Sequence, residues 1–118
     1  MRARGTAVVI RDGKVLLVRD RGKDRYSLPG GGINHNEPTV SAAAREVFEE
    51  LGLHVSMVKR LHDCDFKGSM NEHKVCLIEA SGEPRLRGHE LVNFVWWDMI
   101  SPIPVYEHVT HILKKLRA

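Results

Sequence analysis

The stretch GGINHNEPTVSAAAREVFEELGL, residues 31–53, contains the clearest helix signal of the chain. Pro38 suits the first turn of a helix, and Gly52 suits the exit from one. Between them, apolar residues recur at helical spacing and form one stripe: Val40, Ala44, Val47 and Leu51. The spacing predicts an amphipathic helix that packs this stripe on a core.

Strand and turn signals surround this helix. Short runs of apolar residues predict strands at 6–10, 15–19, 54–66, 74–80 and 92–97, and a second amphipathic helix at 106–116. The glycines at 30–32 are expected to break the chain. Helices separated by several strands, in the order β-β-α-β-β-β-α, predict a mixed α/β protein whose sheet carries a helix on each side.

Length and composition fit a globular protein. The 118 residues predict a single domain over 1–118, and 42% hydrophobic with 28% charged residues is ordinary for this class. No apolar run approaches the roughly 18 residues of a membrane span, and the first residues lack the features of a signal peptide. The sequence therefore predicts a cytoplasmic protein without a membrane partner.

The charged and metal-binding residue types exclude some classes of function. The formal net charge of +3 suits an anionic substrate, but no long Lys/Arg run predicts a nucleic-acid partner. The seven histidines show no metal-ligand spacing and are expected at the surface or in satisfied positions. Cys64 and Cys76 are expected to be buried thiols in neighbouring strands. The sequence leaves homodimer formation open.

Three carboxylates carry the chemistry that the predicted helix offers. Glu46, Glu49 and Glu50 lie at i, i+3 and i+4, so they share one face, away from the apolar stripe. They are expected to have no basic partner on the helix. On the spacing alone, a solvated outer face is the better explanation. However, the glycines before the helix permit a close approach of backbone to a ligand, and Mg²⁺ prefers carboxylate and carbonyl oxygens.

Residues 31–53 resemble the Nudix box, Gly-x5-Glu-x7-Arg-Glu-U-x-Glu-Glu-x-Gly-U, where U is a bulky aliphatic residue. Every fixed position is present: Gly31, Glu37, Arg45, Glu46, Val47, Glu49, Glu50, Gly52 and Leu53. The preceding Leu28-Pro29-Gly30 is similar to the usual lead-in of the family. Many members carry Glu and Gly where this chain has Asn34 and Asn36, which leaves the shape of this loop open.

The resemblance implies a small, MutT-like α/β/α sandwich with a mixed sheet between helices. It implies hydrolysis of a diphosphate linkage in a nucleoside diphosphate derivative, with Mg²⁺ or Mn²⁺ as the cofactor. Glu49 and Glu50 would be the main metal ligands, and Glu46 would be a further ligand or the base that activates water. The carbonyl of Gly30 is another candidate ligand.

The resemblance also assigns residues around these ligands. Arg45 and Glu37 would pair and hold the junction of loop and helix, beside Gly31 at the start of the box. Glu90 is a candidate for the additional carboxylate that many members supply as a metal ligand or base. An ordinary loop carboxylate is an equal alternative for Glu90.

Four further residues are candidates for substrate binding. Arg19 and Arg25 flank a polar loop before the glycines and could meet phosphates, although a solvated loop explains them as well. Tyr26 could stack on a base or pack in the core. Tyr106 begins the second predicted helix, a region that contacts the base in some relatives of the MutT type.

The expected substrate is a nucleoside triphosphate, cleaved to the monophosphate and pyrophosphate. A dinucleoside polyphosphate or a nucleotide sugar is the main rival substrate. A different class of function is a nucleotide-sensing module without catalysis, although such modules usually lose a glutamate that this chain keeps. A third class is an enzyme that processes RNA ends.

Overall fold

The computed structural model describes residues 1–117, which form seven strands and two helices. The strands are β1 Arg2–Arg11, β2 Lys14–Asp20, β3 Gly30–Gly32, β4 His54–Arg60, β5 Phe66–Lys67, β6 Asn71–Ser81 and β7 Leu91–Trp97. The helices are α1 Thr39–Leu51 and α2 Glu107–Arg117, and a short 3₁₀ helix spans His62–Cys64. The main path of the sheet runs β4-β6-β1-β2-β7, with β3 added to β1 and β5 added to β6.

The sheet is mixed because β1 and β6 run parallel while its other strand pairs are antiparallel. Side chains alternate across each strand, so the sheet supplies a core on both faces. On one face Ala43, Val47 and Leu51 of α1 pack on the sheet. On the other face Val109, Ile112 and Leu113 of α2 do so. The predicted α/β/α sandwich is therefore confirmed.

Helix α1 follows the predicted stripe at Val40, Val47 and Leu51, but Ala43 rather than Ala44 packs in the core. It begins at Thr39, directly after Pro38, and Val47 and Leu51 are fully buried beneath it. Gly52 ends the helix with φ of 68°, a left-handed conformation that glycine adopts without a steric penalty. Its N–H donates to the carbonyl of Phe48 at 2.9 Å. Within the described part of the chain, neither helix has the length and apolar character needed to cross a membrane.

Two elements differ from the sequence prediction. The glycines at 30–32 form the short strand β3, because backbone pairing with Arg4–Thr6 of β1 overrides the weak strand preference of glycine. The strand predicted at 54–66 is interrupted by the 3₁₀ helix, and the chain resumes pairing only in β5. Cys64 consequently lies in that helix rather than in a strand, although both cysteines are free and buried as expected.

Candidate active site

A cleft of about 330 Å³ opens beside β3, between the N-terminal half of β1 and helix α1. It is lined mainly by charged side chains and glycine backbone: Arg2, Arg4, Val18, Asp20, Ser27, Gly30, Gly31, Gly32, Glu46, Glu50, Asn71, Glu90 and Leu91. Strand β3 pairs with β1 alone among the described strands, so no described strand covers its other edge. The cleft thus combines carboxylates, guanidinium groups and exposed backbone in one place.

The glycines of β3 let the carboxylate of Glu46 lie directly against the strand. A Cβ added to Gly31 would lie 2.4 Å from Cδ of Glu46, so any larger residue would displace this carboxylate. Gly30 has φ of 145°, and a Cβ there would meet the Gly5 carbonyl at 2.1 Å. Gly30 therefore requires glycine, whereas a larger residue at Gly31 would force the carboxylate of Glu46 to move.

Glu50 is the most buried carboxylate in the cleft. Its Oε1 atom is inaccessible to solvent and has no hydrogen-bond partner within residues 1–117. Burial, followed by the nearby carboxylate of Glu46, raises the pKa of Glu50 to about 8, while the charge of Arg4 opposes this shift. An unsatisfied buried oxygen costs on the order of 1–3 kcal/mol. Such an oxygen is suited to a cation or donor that enters the cleft.

Glu49 differs from the other two helix carboxylates. Its side chain is 56% exposed, and it is not among the described residues that line the cleft. The expectation of three unpaired carboxylates on one solvent-facing surface is wrong. Arg45 stands one turn before Glu49 and approaches it at 3.4 Å, and Glu46 and Glu50 turn toward the cleft.

Arg45 is the centre of a hydrogen-bonded network at the start of the box. It donates to both carboxylate oxygens of Glu37, at 2.8 and 3.0 Å. It also donates to Glu46 Oε1 at 2.8 Å and to the carbonyl of Gly32 at 3.1 Å. The bonds from Arg45 lower the pKa of Glu37 to about 2. Through this network, Arg45 connects the loop, strand β3 and a carboxylate of α1.

Glu90 lies in the loop before β7 and lines both this cleft and an adjoining surface pocket with Asp20, Arg21 and His89. Its side chain is exposed, while its carbonyl accepts from the N–H of Arg21 at 2.7 Å. The structure therefore brings Glu90 to the same cleft as Glu46 and Glu50. Its role as base or ligand stays a prediction.

The four predicted substrate-binding residues are not among the described residues that line the cleft. Arg19 donates to the carbonyl of Lys23 at 3.0 Å, and Arg25 is exposed next to Asp24. The hydroxyl of Tyr26 accepts from Asn93 Nδ2 at 2.7 Å. The ring of Tyr106 stands 6.0 Å from that of His108. Tyr26 packs against the core beneath α2, and the N–H of Tyr106 donates to the carbonyl of Tyr26 at 3.0 Å.

Sequence reasoning missed five polar side chains that line the cleft: Arg2, Arg4, Asp20, Ser27 and Asn71. Asp20 and Asn71 lie at strand ends, and no motif indicates them. The sequence indicates only part of the position of the two arginines. Arg2 and Arg4 alternate with Thr6 along β1, so the three share one face of the strand. Their relation to the cleft depends on the pairing of β1 with β3, which local sequence does not specify.

A buried histidine pair lies on the face of the sheet that α2 covers. The rings of His73 and His108 stack with centroids 4.0 Å apart. His108 Nε2 accepts from the N–H of Leu28 at 3.2 Å, and His73 Nδ1 lies 2.8 Å from the Thr6 hydroxyl. Burial lowers the pKa of His73 to about 4 and that of His108 to about 3. Both rings are therefore neutral at physiological pH, in satisfied positions.

The cleft fits a hard divalent cation by the chemistry of its donors. Within residues 1–117, no cluster of three or more His, Cys, Asp or Glu side chains is preassembled for a metal. However, Mg²⁺ is commonly held by one or two carboxylates together with substrate phosphates. Glu50 has a buried oxygen without a partner, and Glu46 lies against a glycine strand that leaves room for it. These two carboxylates meet that requirement.

The chain belongs to the NUDIX domain family, whose model matches residues 1–111. It is 26% identical to the MutT NUDIX hydrolase from Burkholderia pseudomallei, with a TM-score of 0.80 over 98% of this chain and 97% of that one. The resemblance inferred from the box is therefore confirmed, and the fold extends over nearly the whole of both chains.

Curated relatives match a shorter part of the chain. It is 40% identical over 58 residues to the RNA pyrophosphohydrolase of Pasteurella multocida (strain Pm70) and 42% identical over 57 residues to that of Edwardsiella ictaluri (strain 93-146). These matches cover 49% and 48% of this chain but only 29% and 32% of the relatives.

Proposed function

We propose that this protein hydrolyses a diphosphate linkage in a nucleoside diphosphate derivative, with Mg²⁺ or Mn²⁺ as cofactor. The proposed substrate is a nucleoside triphosphate, and the products are the nucleoside monophosphate and pyrophosphate. The observation that carries the proposal is the cleft beside β3, where Glu46 and Glu50 meet glycine backbone and guanidinium groups. Membership of the family supports the reaction class.

The carboxylates would hold the cofactor. Glu46 and Glu50 face the cleft, and Glu49 could join them by a rotation of its exposed side chain. The carbonyl of Gly30 is a further candidate donor. The ion, when bound, would supply positive charge that offsets the charge of the phosphates during the reaction. The neutral form that burial imposes on Glu50 would then give way to the carboxylate, because a cation favours the charged form.

The remaining chemistry is the transfer of one proton. Water attacks a phosphorus of the linkage, and a carboxylate that faces the cleft accepts its proton as the bridging P–O bond breaks. Attack at the α phosphorus releases pyrophosphate as the leaving group, and attack at the β phosphorus releases the monophosphate. Glu46 and Glu90 are the candidates for this base. Arg45 positions Glu46 through the 2.8 Å hydrogen bond between them, and Glu37 in turn holds Arg45. Their contribution is orientation.

A panel of nucleotides incubated with Mg²⁺ or Mn²⁺, with products separated by ion exchange, tests this proposal. We expect a nucleoside monophosphate and pyrophosphate from at least one triphosphate. In H₂¹⁸O, the label should enter the monophosphate if water attacks the α phosphorus. The absence of turnover of any diphosphate-linked compound, with either metal, would contradict the proposal. Unchanged activity and metal dependence in Glu49→Gln would contradict its assignment as a metal ligand.

A second candidate function is removal of pyrophosphate from an RNA 5′ end. The curated relatives named RNA pyrophosphohydrolase support it, although the match covers about half of this chain. It differs from the expectation that nucleic acid is not a partner. A 5′-triphosphorylated oligoribonucleotide should then compete with the mononucleotide, and its affinity should fall steeply with salt. A mononucleotide enzyme would show neither effect.

The same panel distinguishes the remaining substrate classes. Dinucleoside polyphosphates and nucleotide sugars belong among the compounds tested. The carboxylates of the cleft do not indicate which group is attached to the diphosphate. A nucleotide-sensing module would bind a member of the panel without turnover. The single-domain organisation, the cytoplasmic location, homodimer formation and the roles of Arg19, Arg25, Tyr26 and Tyr106 stay predictions.

A further inference from the structure

Arg4 is unusual among the half-buried arginines of the described chain. Five arginines are half-buried within residues 1–117: Arg4, Arg11, Arg19, Arg45 and Arg60. The last four each donate at least one side-chain hydrogen bond to another residue. Arg4 Nε is instead inaccessible to solvent and has no hydrogen-bond partner. A buried donor without a partner is costly and indicates either strain or a missing ligand.

The surroundings of Arg4 are acidic, yet no carboxylate among residues 1–117 forms an ion pair with it. Burial lowers the pKa of Arg4, and the nearby carboxylates of Glu50, Asp20 and Glu46 oppose this shift only in part. Glu50 in the same cleft has an unpartnered oxygen of its own. A buried guanidinium and a buried carboxyl group thus share a cleft without bonding to each other. An occupant that presents both positive charge and an acceptor oxygen would satisfy both.

The short strand β3 separates the two kinds of charge. On one side, Glu46 lies against Gly31. On the other side, the guanidinium of Arg2 lies against Gly32, where an added Cβ would meet Nη2 at 2.5 Å. Arg4 pairs with Gly32 in register and shares the strand face of Arg2. Because no described strand pairs with the outer edge of β3, residues on both faces line the same cleft.

We propose that Arg4 binds a non-bridging oxygen of a substrate phosphate, on the opposite side of β3 from the carboxylates of α1. This inference rests on the proposed function for the identity of the ligand, a diphosphate or triphosphate group. The planar guanidinium suits phosphate because it donates in a fork that matches two oxygens. One phosphate of the chain would lie with the carboxylates and their cation, and another would contact Arg4, with Arg2 at the entrance.

The decisive test measures binding without turnover. The affinity of an α,β-methylene nucleoside triphosphate in Mg²⁺ is determined by calorimetry for the wild type, Arg4→Gln and Arg4→Lys. We expect Arg4→Gln to weaken binding by about tenfold or more, since a charge-assisted pair is lost. Arg4→Lys should recover part of it. The matched control is Lys59→Gln, which removes an exposed charge on β4 and should change the affinity less than twofold.

A second readout uses the unmodified chain and does not depend on folding of a variant. In ¹H–¹⁵N spectra, the resonance of the buried Arg4 Nε–H should shift when the Mg²⁺ analogue complex is added. The missing peak in the spectrum of Arg4→Lys assigns it. Analogue affinity within twofold of wild type in Arg4→Gln, or an Nε–H resonance that does not respond, would overturn the inference.

The affinity of the protein for Mn²⁺ without nucleotide distinguishes two roles of Arg4. Arg4 either contacts a phosphate or balances the charge of the nearby carboxylates. This affinity should stay within about twofold of wild type in Arg4→Lys, which keeps the positive charge near Glu50. If Arg4→Lys weakened Mn²⁺ and analogue binding equally, Arg4 would be a structural partner of the carboxylates and the inference would fail. Analogue binding that depends on Arg4 in a protein that hydrolyses nothing would instead contradict the proposed function alone.

Discussion

Arg45 and Arg4 are two half-buried arginines near the same carboxylates, and their surroundings are opposite. Arg45 donates to Glu37, Glu46 and the Gly32 carbonyl, so its charge is fully accommodated by the chain. Arg4 has a buried Nε without a partner, and Glu50 beside it has a buried oxygen without one. The hydrogen bonds of the Arg45 cluster are thus complete within the folded chain, whereas the Arg4–Glu50 cluster has unpaired polar atoms that the proposed ligand would satisfy.

The largest expected loss of activity follows from a change in the Arg4–Glu50 cluster. Glu50→Gln should lower the rate of hydrolysis by roughly 10²–10³-fold, the size of effect seen when one charge-stabilising group of an active site is removed. The fold should be retained, because burial already favours the neutral form of Glu50 at neutral pH. Steady-state kinetics and thermal melting measure the two quantities. The matched control, Glu79→Gln on the exposed side of β6, should change neither. A comparable loss of activity in the control would show that Glu50 has no special role in hydrolysis.

Gly31→Ala moves the carboxylate of Glu46 without removing it. The new Cβ would lie 2.4 Å from Cδ of Glu46, so Glu46 must leave its position against β3. We expect activity and metal affinity to fall by about 10–100-fold, as for other residues that orient ligands. Gly68→Ala is the control, because its Cβ would make only ordinary contacts, the nearest at 3.5 Å. Full activity in Gly31→Ala would mean that the placement of Glu46 is irrelevant.

The buried pair His73 and His108 is expected to affect the free energy of unfolding but not the activity. The folded-state pKa values of His73 and His108, about 4 and 3, lie below the ordinary value near 6.5. As pH falls below 6.5, the unfolded chain gains protons that the native chain refuses, so stability decreases. The slope should reach up to roughly 1.4 kcal/mol per pH unit for each histidine.

Glu50 has the opposite effect in the same pH window, because its pKa is raised to about 8 and its protonation favours the native state. Urea titrations between pH 6.5 and 5 are therefore made in the Glu50→Gln background, which removes this contribution. The free energy of unfolding should decline steadily as pH falls. A flat profile would show that the two rings accept protons in the folded protein.

The smallest expected loss of activity follows from a change in the Arg45 cluster. Glu37→Gln removes the carboxylate that binds both nitrogens of the Arg45 fork. The melting temperature should fall, while activity should fall far less than in Glu50→Gln. The pKa of Glu37 is lowered to about 2, so its stabilising effect is present above pH 4.5 and lost as pH falls toward 2. In Glu37→Gln, this acid-sensitive part of the stability should be absent. An activity loss equal to that of Glu50→Gln would make Arg45 part of the chemistry.

The sequence predicts one side of the cleft well. Helix α1 is specified by a strong local period, and the box places Glu46 and Glu50 on it, because spacing along a helix translates directly into position. The pairing of Glu49 with Arg45 also follows from a spacing of four residues, but the expectation of unpaired carboxylates does not account for it. Helix periodicity thus gives position more readily than it gives partners.

The other side of the cleft depends on contacts between distant segments. Arg4 reaches the cleft because β1 pairs with β3 on one side and with β6 on the other. No local signal predicts that a glycine triplet will form a strand, since glycine is depleted in strands and the pairing is decided by tertiary structure. Arg19 in β2 and Arg25 in the loop after it are close to the glycines in sequence, yet neither lines the cleft.

The most direct measurement is the anomalous scattering of a crystal grown with Mn²⁺. We predict a Mn²⁺ peak in the cleft beside β3, within coordination distance of carboxylate oxygens of Glu46 and Glu50, and its loss in Glu50→Gln crystals. A peak at another place, or none at a Mn²⁺ concentration that supports hydrolysis, would contradict the assignment of the unsatisfied cleft as the metal and phosphate site.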